Sequence, residues 1–261
     1  FAEVVAQKIK DNISKFILGQ FFWAIKLNKF FNVFEPSLLI SNGTRLDNIT
    51  IAEMCKHKNI PSVLVSHGSD IRPKNEYEKI EWGNHGRFLL RAPFSFLALQ
   101  SPLAEGYLDT FPPSGRIVKT GPLVWGNPIN SEKSKILFHK MFFKEKFDFE
   151  KTRIILHAGT PKRDGIKCYV YETPDEYIEA INNLANAIEK ISDTILIVKF
   201  RARREIDIRD LYYRVPFSKK VVLSINEPFI DVLGMANLLV SFSSTAIEEA
   251  LQNKIPVLLY G

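Results

Sequence analysis

A cluster of hydroxyl groups in segment 237–261 is the clearest candidate for chemistry. The apolar residues 238–240 lead into four serine and threonine residues within five positions: Ser241, Ser243, Ser244 and Thr245. Glu248 and Glu249 follow, in a stretch that we expect to be helical. Hydroxyl groups and free backbone N–H groups at a helix start favour a bound phosphate or nucleotide. A capping box between Thr245 and Glu248 fits the same spacing, although a plain cap needs only one hydroxyl.

A histidine stands at the end of a second apolar run. Residues 62–66 form that run, and His67 and Gly68 follow it directly. An imidazole at a strand end beside a glycine is well placed to accept a proton from a substrate hydroxyl. The alternative is a turn histidine that bonds only to backbone. We therefore treat His67 as a candidate catalytic base.

Two further strand ends carry groups that suit phosphate oxygens. Gly159, Thr160 and Lys162 follow the apolar run 153–157. The glycine lets the backbone approach a ligand, the threonine can donate a hydrogen bond and the lysine is cationic. Lys199 and Arg201 end another apolar run. Solvated turns are the alternative at both places.

Several other chemistries have no motif in this sequence. Neither GxGxxG nor GxxxxGK[ST] occurs, which excludes the common dinucleotide and P-loop sites. HExxH and Asp-x-Asp are absent, and the only cysteines are Cys55 and Cys168. We therefore expect no metal and no cofactor. The basic cluster 199–204 contains a single aromatic residue, Phe200, and no repeated alternation of basic and aromatic residues, so we expect no nucleic-acid partner.

The elements that position these groups alternate in type along the chain. Short apolar runs predict strands, and amphipathic stretches between them predict helices. The predicted strands are 37–40, 62–66, 94–100, 116–120, 153–157, 194–200, 220–224, 237–242 and 256–260. Alternating strands and helices predict parallel sheets, whose ligands lie at the carboxyl ends of the strands.

Composition and chain breakers indicate two folded domains. The 261 residues include 31 aromatic side chains and only 13 glycines, which excludes disordered and collagen-like chains. Segment 121–131 holds two prolines, two glycines and two asparagines, as linkers do. We predict two Rossmann-like α/β domains that face a cleft, residues 1–127 and 128–261. No strand precedes the first predicted helix and no helix follows the last strand, so we expect a chain that is incomplete at one or both ends.

Segment 237–261 resembles the donor-binding segment of glycosyltransferases of the GT-B fold. The matching residues are Ser243, Ser244, Thr245, Glu248 and Glu249. In that family the segment holds the nucleotide diphosphate and ribose. Segment 60–70 resembles bacterial surface-polysaccharide and capsule transferases and, distantly, CDP-glycerol transferases, which carry a His-Gly pair there.

The resemblance implies that the two domains bind different substrates. The first would present His67 to the acceptor, and the second would bind the donor through the matching residues and through Gly159, Thr160, Lys162, Lys199 and Arg201. Many relatives read Lys-x-His-Pro where this chain reads Lys199-Phe-Arg-Ala. The sequence leaves open whether Arg201 replaces the family's histidine.

The resemblance implies an enzyme that transfers a sugar from a nucleotide-activated donor to a glycan or lipid-linked acceptor in cell-surface polysaccharide synthesis. We expect inversion at the anomeric carbon and no metal. A non-hydrolysing sugar-nucleotide 2-epimerase is the first alternative, because it shares the fold and the serine-rich helix start. A non-catalytic module that binds a sugar or nucleotide is the second.

The first predicted helix, residues 3–34, is both basic and aromatic. Five lysines oppose only Glu3 and Asp11: Lys8, Lys10, Lys15, Lys26 and Lys29. One alternative is that Phe16, Phe21 and Phe31 pack on the first domain. The other is that the helix lies on the inner face of the cell membrane. The formal net charge of +6 and the scarcity of cysteine suit a cytoplasmic protein with anionic partners.

Overall fold

The structure is a computed structural model and describes most of the chain. The described residues are 2–43, 47–66, 68, 71–80, 83, 90–145, 147–159, 173–201, 206–242 and 244–260. The chain divides into two compact units, Phe1–Val124 and Trp125–Gly261. The predicted boundary after residue 127 lies three residues further along the chain.

The first unit contains a four-stranded parallel sheet of order β1-β2-β3-β4. Its elements are α1 (Ala2–Phe34), β1 (Leu39–Ser41), α2 (Asp47–His57), β2 (Ser62–Leu64), β3 (Phe96–Leu99), α3 (Leu103–Thr110) and β4 (Arg116–Lys119). Side chains of β2, β3 and α3 form its core, with Leu64, Leu97 and Tyr107 almost completely buried. Edge strand β4 is exposed along its whole length.

The second unit contains a five-stranded parallel sheet of order β7-β6-β5-β8-β9. Its elements are α4 (Ser131–Met141), β5 (Arg153–Ala158), α5 (Pro174–Glu189), β6 (Thr194–Lys199), α6 (Ile208–Arg214), β7 (Val221–Ser224), α7 (Phe229–Leu233), β8 (Leu238–Ser241), α8 (Ala246–Gln252) and β9 (Val257–Leu259). Strand β5 lies at its centre, between β6 and β8.

Helices cover both faces of the second sheet, which explains why β5 and β6 are almost continuously apolar. Ile154, Leu156 and Ala158 point into one core together with residues of α4, α7 and α8. Ile155 packs against a second core, which is formed by α5, α6 and β6. Buried strands of this kind give the strongest sequence signal, because most positions along them are apolar.

The structure confirms the predicted fold class of two parallel-sheet α/β units. It corrects two local predictions. The helix predicted over 131–146 ends at Met141. Helix α6 was not predicted, because only Leu211 of its seven residues is buried and the rest are charged, aromatic or partly exposed. Its start is fixed instead by Asp207, whose carboxylate accepts a hydrogen bond from the Arg209 backbone N–H.

Candidate functional site

The carboxyl ends of β5 and β8 are neighbours and are joined by a hydrogen bond. Strand β8 pairs with β5 up to Val240 and His157. Beyond that pair, the buried hydroxyl of Ser241 donates to the carbonyl of Ala158 over 2.6 Å. Gly159 and the turn that follows β8 therefore lie along one edge of the sheet. Ser241, which the sequence grouped with the ligand-binding hydroxyls, is engaged in holding the two strands together.

The turn between β8 and α8 is capped by a different residue from the one predicted. The Ser244 hydroxyl accepts a hydrogen bond from the Ala246 N–H over 3.2 Å. Thr245 makes no side-chain capping bond, so the predicted capping box with Glu248 is wrong. The reason is that Thr245 already has helical angles, φ −62° and ψ −14°, whereas a capping side chain needs a non-helical backbone. The Thr245 side chain is exposed.

The first turn of α8 carries both candidate glutamates. Glu249 is half-buried, and burial raises the pKa of its carboxyl group. No described residue forms a hydrogen bond or ion pair with the Glu249 carboxylate, although a buried acceptor without a donor costs free energy. Glu248 is also partly buried. With only seven residues, α8 contributes a weak dipole, so any anion here depends mainly on hydroxyl and backbone groups.

Lys199 and Arg201 lie on the other side of β5 from β8. The Lys199 ammonium donates to the carbonyl of Ile225 over 2.6 Å, beyond the end of β7. Burial lowers the pKa of Lys199, while the nearby Glu227 carboxylate opposes that shift. Arg201 is exposed. Lys199 therefore fixes the segment after β7, and its contact with a donor stays a prediction.

Glu227 completes the anchor of that segment. It accepts a hydrogen bond from the Ser224 hydroxyl over 2.7 Å. Burial alone would raise the pKa of Glu227, but the bond from Ser224 and the charge of Lys199 outweigh it and lower the pKa. The side chains of Lys199, Ser224 and Glu227 thus connect the ends of β6 and β7. Ser224 donates a hydrogen bond to Glu227, and the charges of Lys199 and Glu227 attract each other.

Four predicted site residues lie outside the described part of the chain: His67, Thr160, Lys162 and Ser243. The backbone on either side of His67 is described. The Ser66 hydroxyl donates to the Gly68 carbonyl over 2.6 Å and accepts from the Gly68 N–H. The Gln100 side chain donates to the Ser66 carbonyl and accepts from the Leu123 and Val124 N–H groups. Gln100 thus anchors the carboxyl end of β2, although no motif in the sequence pointed to it.

His157 and Tyr260 are also absent from the site residues that the sequence predicts. The His157 side chain is fully buried, and its Nε2 lies 2.9 Å from the Tyr260 hydroxyl. Burial lowers the pKa of His157 to about 4, so the ring is neutral at pH 7. Its Nδ1 has no hydrogen-bond partner among the described residues. A histidine inside the apolar run Ile-Ile-Leu-His-Ala was the available signal, but nothing in the sequence pointed to its partner 103 positions away.

The chain shares its fold with solved structures of sugar-nucleotide enzymes. No protein-family model and no curated protein matches the sequence. A structure of MnaA with UDP from S. aureus matches with a TM-score of 0.56 and 13% identity, covering 94% of this chain and 63% of that one. UDP-GlcNAc 2-epimerase from Neisseria meningitidis bound to UDP-GlcNAc matches with a TM-score of 0.57 and 18% identity, covering 92% and 63%.

A glycosyltransferase is similar as well. The glycotransferase of kitacinnamycin matches with a TM-score of 0.51 and 13% identity, covering 94% of this chain and 62% of that one. The chain therefore spans less than two thirds of the length of each of these structures. At such low identity the likeness concerns the fold, which is the Rossmann-like GT-B type.

Proposed function

We propose that the protein is a sugar-nucleotide enzyme whose second unit binds the nucleoside diphosphate of its substrate. The half-buried carboxylate of Glu249, without a partner in the described chain, is the observation that carries this proposal. Glu249 lies in the first turn of α8, the helix that follows β8, and parallel sheets bind ligands at the carboxyl ends of such strands. A ribose offers two adjacent hydroxyl donors, which is what an unpaired carboxylate lacks.

The other groups at this edge suit the diphosphate. Gly159 follows β5 and lets backbone N–H groups approach phosphate oxygens. Ser244 and Thr245 bring hydroxyl groups from the β8 turn. The resemblance adds Ser243, Glu248, Thr160, Lys162, Lys199 and Arg201. Oriented donors and cations stabilise the negative charge that grows on a departing diphosphate.

The first candidate reaction is transfer of the sugar to a glycan or lipid-linked acceptor in cell-surface polysaccharide synthesis. The acceptor oxygen would attack the anomeric carbon from the face opposite the diphosphate, the bond to the diphosphate would break, and His67 would take the acceptor proton. This route inverts the anomeric carbon and needs no metal. The sequence resemblance around His67, next to the strand end anchored by Gln100, supports it.

The second candidate reaction is non-hydrolysing 2-epimerisation of a sugar nucleotide. Several of the solved structures with this fold are named as UDP-GlcNAc 2-epimerases, including the one from Neisseria meningitidis. An epimerase needs no acceptor, whereas a transferase does. That difference gives a direct test.

The test starts from UDP-GlcNAc alone. A transferase leaves the donor unchanged until an acceptor is added, and then releases UDP, which a coupled nucleotide assay detects. An epimerase produces the C2 epimer without any acceptor, which NMR detects. A thermal-shift panel of UDP, CDP and GDP precedes both assays, since a ligand at 100 times its Kd adds about 2.7 kcal/mol of stability. If none of these diphosphates raises the melting temperature at millimolar concentration, the sugar-nucleotide proposal is wrong.

We also propose that α1 lies on an anionic membrane surface. Its packed face carries the buried residues Leu27 and Phe31. Phe16 and Phe21 remain exposed, so the packing predicted for all three phenylalanines holds only for Phe31. No helix among the described residues is long and apolar enough to span a membrane.

A second apolar stripe lies on the other side of α1. We call it the α1 stripe; its residues are Leu18, Phe21, Phe22 and Ile25, spaced i, i+3, i+4 and i+7 and between 40% and 60% exposed. At 100° per residue this spacing places them on one face, well away from Leu27 and Phe31. Exposed lysines flank the stripe at positions 15, 26 and 29. Apolar side chains between lysines complement the headgroup region of an anionic bilayer.

A further inference from the structure

Two side-chain hydrogen bonds converge on the last two residues of β5. The Tyr260 hydroxyl bonds to Nε2 of His157, and the Ser241 hydroxyl donates to the Ala158 carbonyl. The two bonds are 2.9 Å and 2.6 Å long. Gly159 is the next residue in the chain. We call Tyr260, His157 and Ser241 the β5 clamp.

Aromatic rings enclose the β5 clamp. The His157 ring centre lies 5.4 Å from that of Tyr177 on α5 and 5.8 Å from that of Tyr260. The Tyr260 ring lies 5.9 Å from that of Phe242, which directly follows β8. His157 and Ser241 have no exposed surface. These contacts leave the end of β5 little freedom to move.

Backbone pairing already holds β5 in the sheet, so the β5 clamp is an addition to it. Strand β5 is already paired with β6 over residues 153–158 and with β8 over residues 155–157. Tyr260 follows β9, which is not a neighbour of β5, and reaches it across the end of β8. Burying a histidine whose Nδ1 meets no hydrogen-bond partner in the described part of the chain is costly in an otherwise apolar core. Such departures from an apolar core are expected where a site must be held in place.

We propose that Tyr260, His157 and Ser241 are positioning residues of the donor site. They fix the end of β5 and so hold the backbone at Gly159 in the orientation that meets the diphosphate. This inference rests on the proposed function. The neutral state of His157 is compatible with a positioning role. An uncharged ring can share a hydrogen bond with a tyrosine hydroxyl without bringing a charge into the core.

The first test measures the backbone without any ligand. Tyr260→Phe removes the hydroxyl and keeps the ring, and Tyr213→Phe on α6 is the matched control because Tyr213 is 92% exposed. Amide hydrogen exchange should speed up at residues 153–159 in Tyr260→Phe, while residues 194–199 of β6 keep their protection. Ser241→Ala should give the same pattern independently. Unchanged exchange at residues 153–159 in both variants would overturn the β5 clamp.

The second test measures binding of UDP by calorimetry. Tyr260→Phe should weaken the affinity for UDP about threefold to tenfold, the usual effect of one neutral hydrogen bond, while Tyr213→Phe should bind like the wild type. Faster exchange with unchanged UDP affinity would mean that the clamp only stabilises the fold, which contradicts the positioning role. If the wild type binds CDP or GDP in place of UDP, the same comparison is made with that nucleotide. If it binds none of the three, the proposed donor site fails and the positioning role with it, whereas the exchange result still decides whether the clamp exists.

Discussion

At the residue scale, Glu249 is a half-buried charged group for which the described residues offer no hydrogen-bond or ion-pair partner. Its half-buried carboxyl group has a raised pKa, so the folded chain binds the proton more tightly than the unfolded chain does. Ionised Glu249 therefore opposes folding at pH values above its usual pKa. Glu249→Gln removes that penalty and should melt at an equal or higher temperature than the wild type at pH 7. The exposed Glu179→Gln is the control, and a clear loss of stability in Glu249→Gln alone would mean that the carboxylate is paired.

Because His157 is buried in its neutral form, we expect the unfolding free energy to fall in acid. Its pKa is lowered to about 4 in the folded chain, from about 6.5 when exposed. Between these values the unfolded chain binds the extra proton, so stability is complete above about pH 6.5 and falls as the pH drops toward 4. From pH 7 to pH 5 the wild type should lose about 2 kcal/mol of unfolding free energy through this residue.

Denaturant titrations at the two pH values check the contribution of His157. The control is His139→Gln, because His139 is exposed on α4 and that variant should lose as much stability as the wild type. His157→Gln is expected to start less stable but to lose about 2 kcal/mol less on acidification. Equal losses in all three proteins would show that His157 is not buried in the neutral form.

The prediction for catalysis concerns His67, the candidate general base. His67→Ala should lower turnover by about 10²-fold to 10⁴-fold, the usual share of general-base catalysis, and should leave nucleotide affinity nearly unchanged. His57→Ala is the control, because His57 is an exposed residue at the end of α2. Wild-type turnover in His67→Ala would remove His67 from the mechanism and leave the turn-histidine alternative.

At the element scale, α1 makes the membrane proposal testable. Wild-type protein should co-sediment with vesicles that contain anionic phosphatidylserine and should release them as salt rises. Each lysine near such a surface adds about 1 kcal/mol of attraction, so charge and the α1 stripe act together. Phe21→Ser with Phe22→Ser should abolish sedimentation, whereas Tyr213→Ser, at an exposed position of the second unit, should not. Binding that does not change with lipid charge or salt would contradict the proposal. Absence of binding would also contradict it and would indicate that protein covers the stripe instead.

Strands that are buried on both faces are the elements that the sequence predicts best. Buried strands such as β5 and β6 were predicted within one residue at each end, because both of their faces require apolar side chains. Helix α6 was missed, because only Leu211 of that short helix is buried. The cap of α8 was assigned to Thr245 instead of Ser244, because spacing alone cannot tell where helical backbone angles begin.

At the scale of the whole molecule, the two sheets follow from the alternation of strands and helices, and the site follows only in part. The sequence indicated the β8 turn and the residue after β5, because ligands gather at the carboxyl ends of parallel strands. It could not indicate the bond between His157 and Tyr260, which depends on the strand order β5-β8-β9. Likewise, the bond between Lys199 and the Ile225 carbonyl depends on β6 lying beside β7.

The most direct test of the central claim is a calorimetric titration of UDP, CDP and GDP into wild-type protein and Glu249→Gln. We predict saturable binding of at least one diphosphate to the wild type, with one site per chain. Replacing the charged acceptor should cost about 1.5–3 kcal/mol, which lowers that affinity about tenfold or more, while Glu179→Gln binds normally. Absence of binding to the wild type, or equal affinity in Glu249→Gln, would contradict a nucleotide site at the β5 and β8 edge.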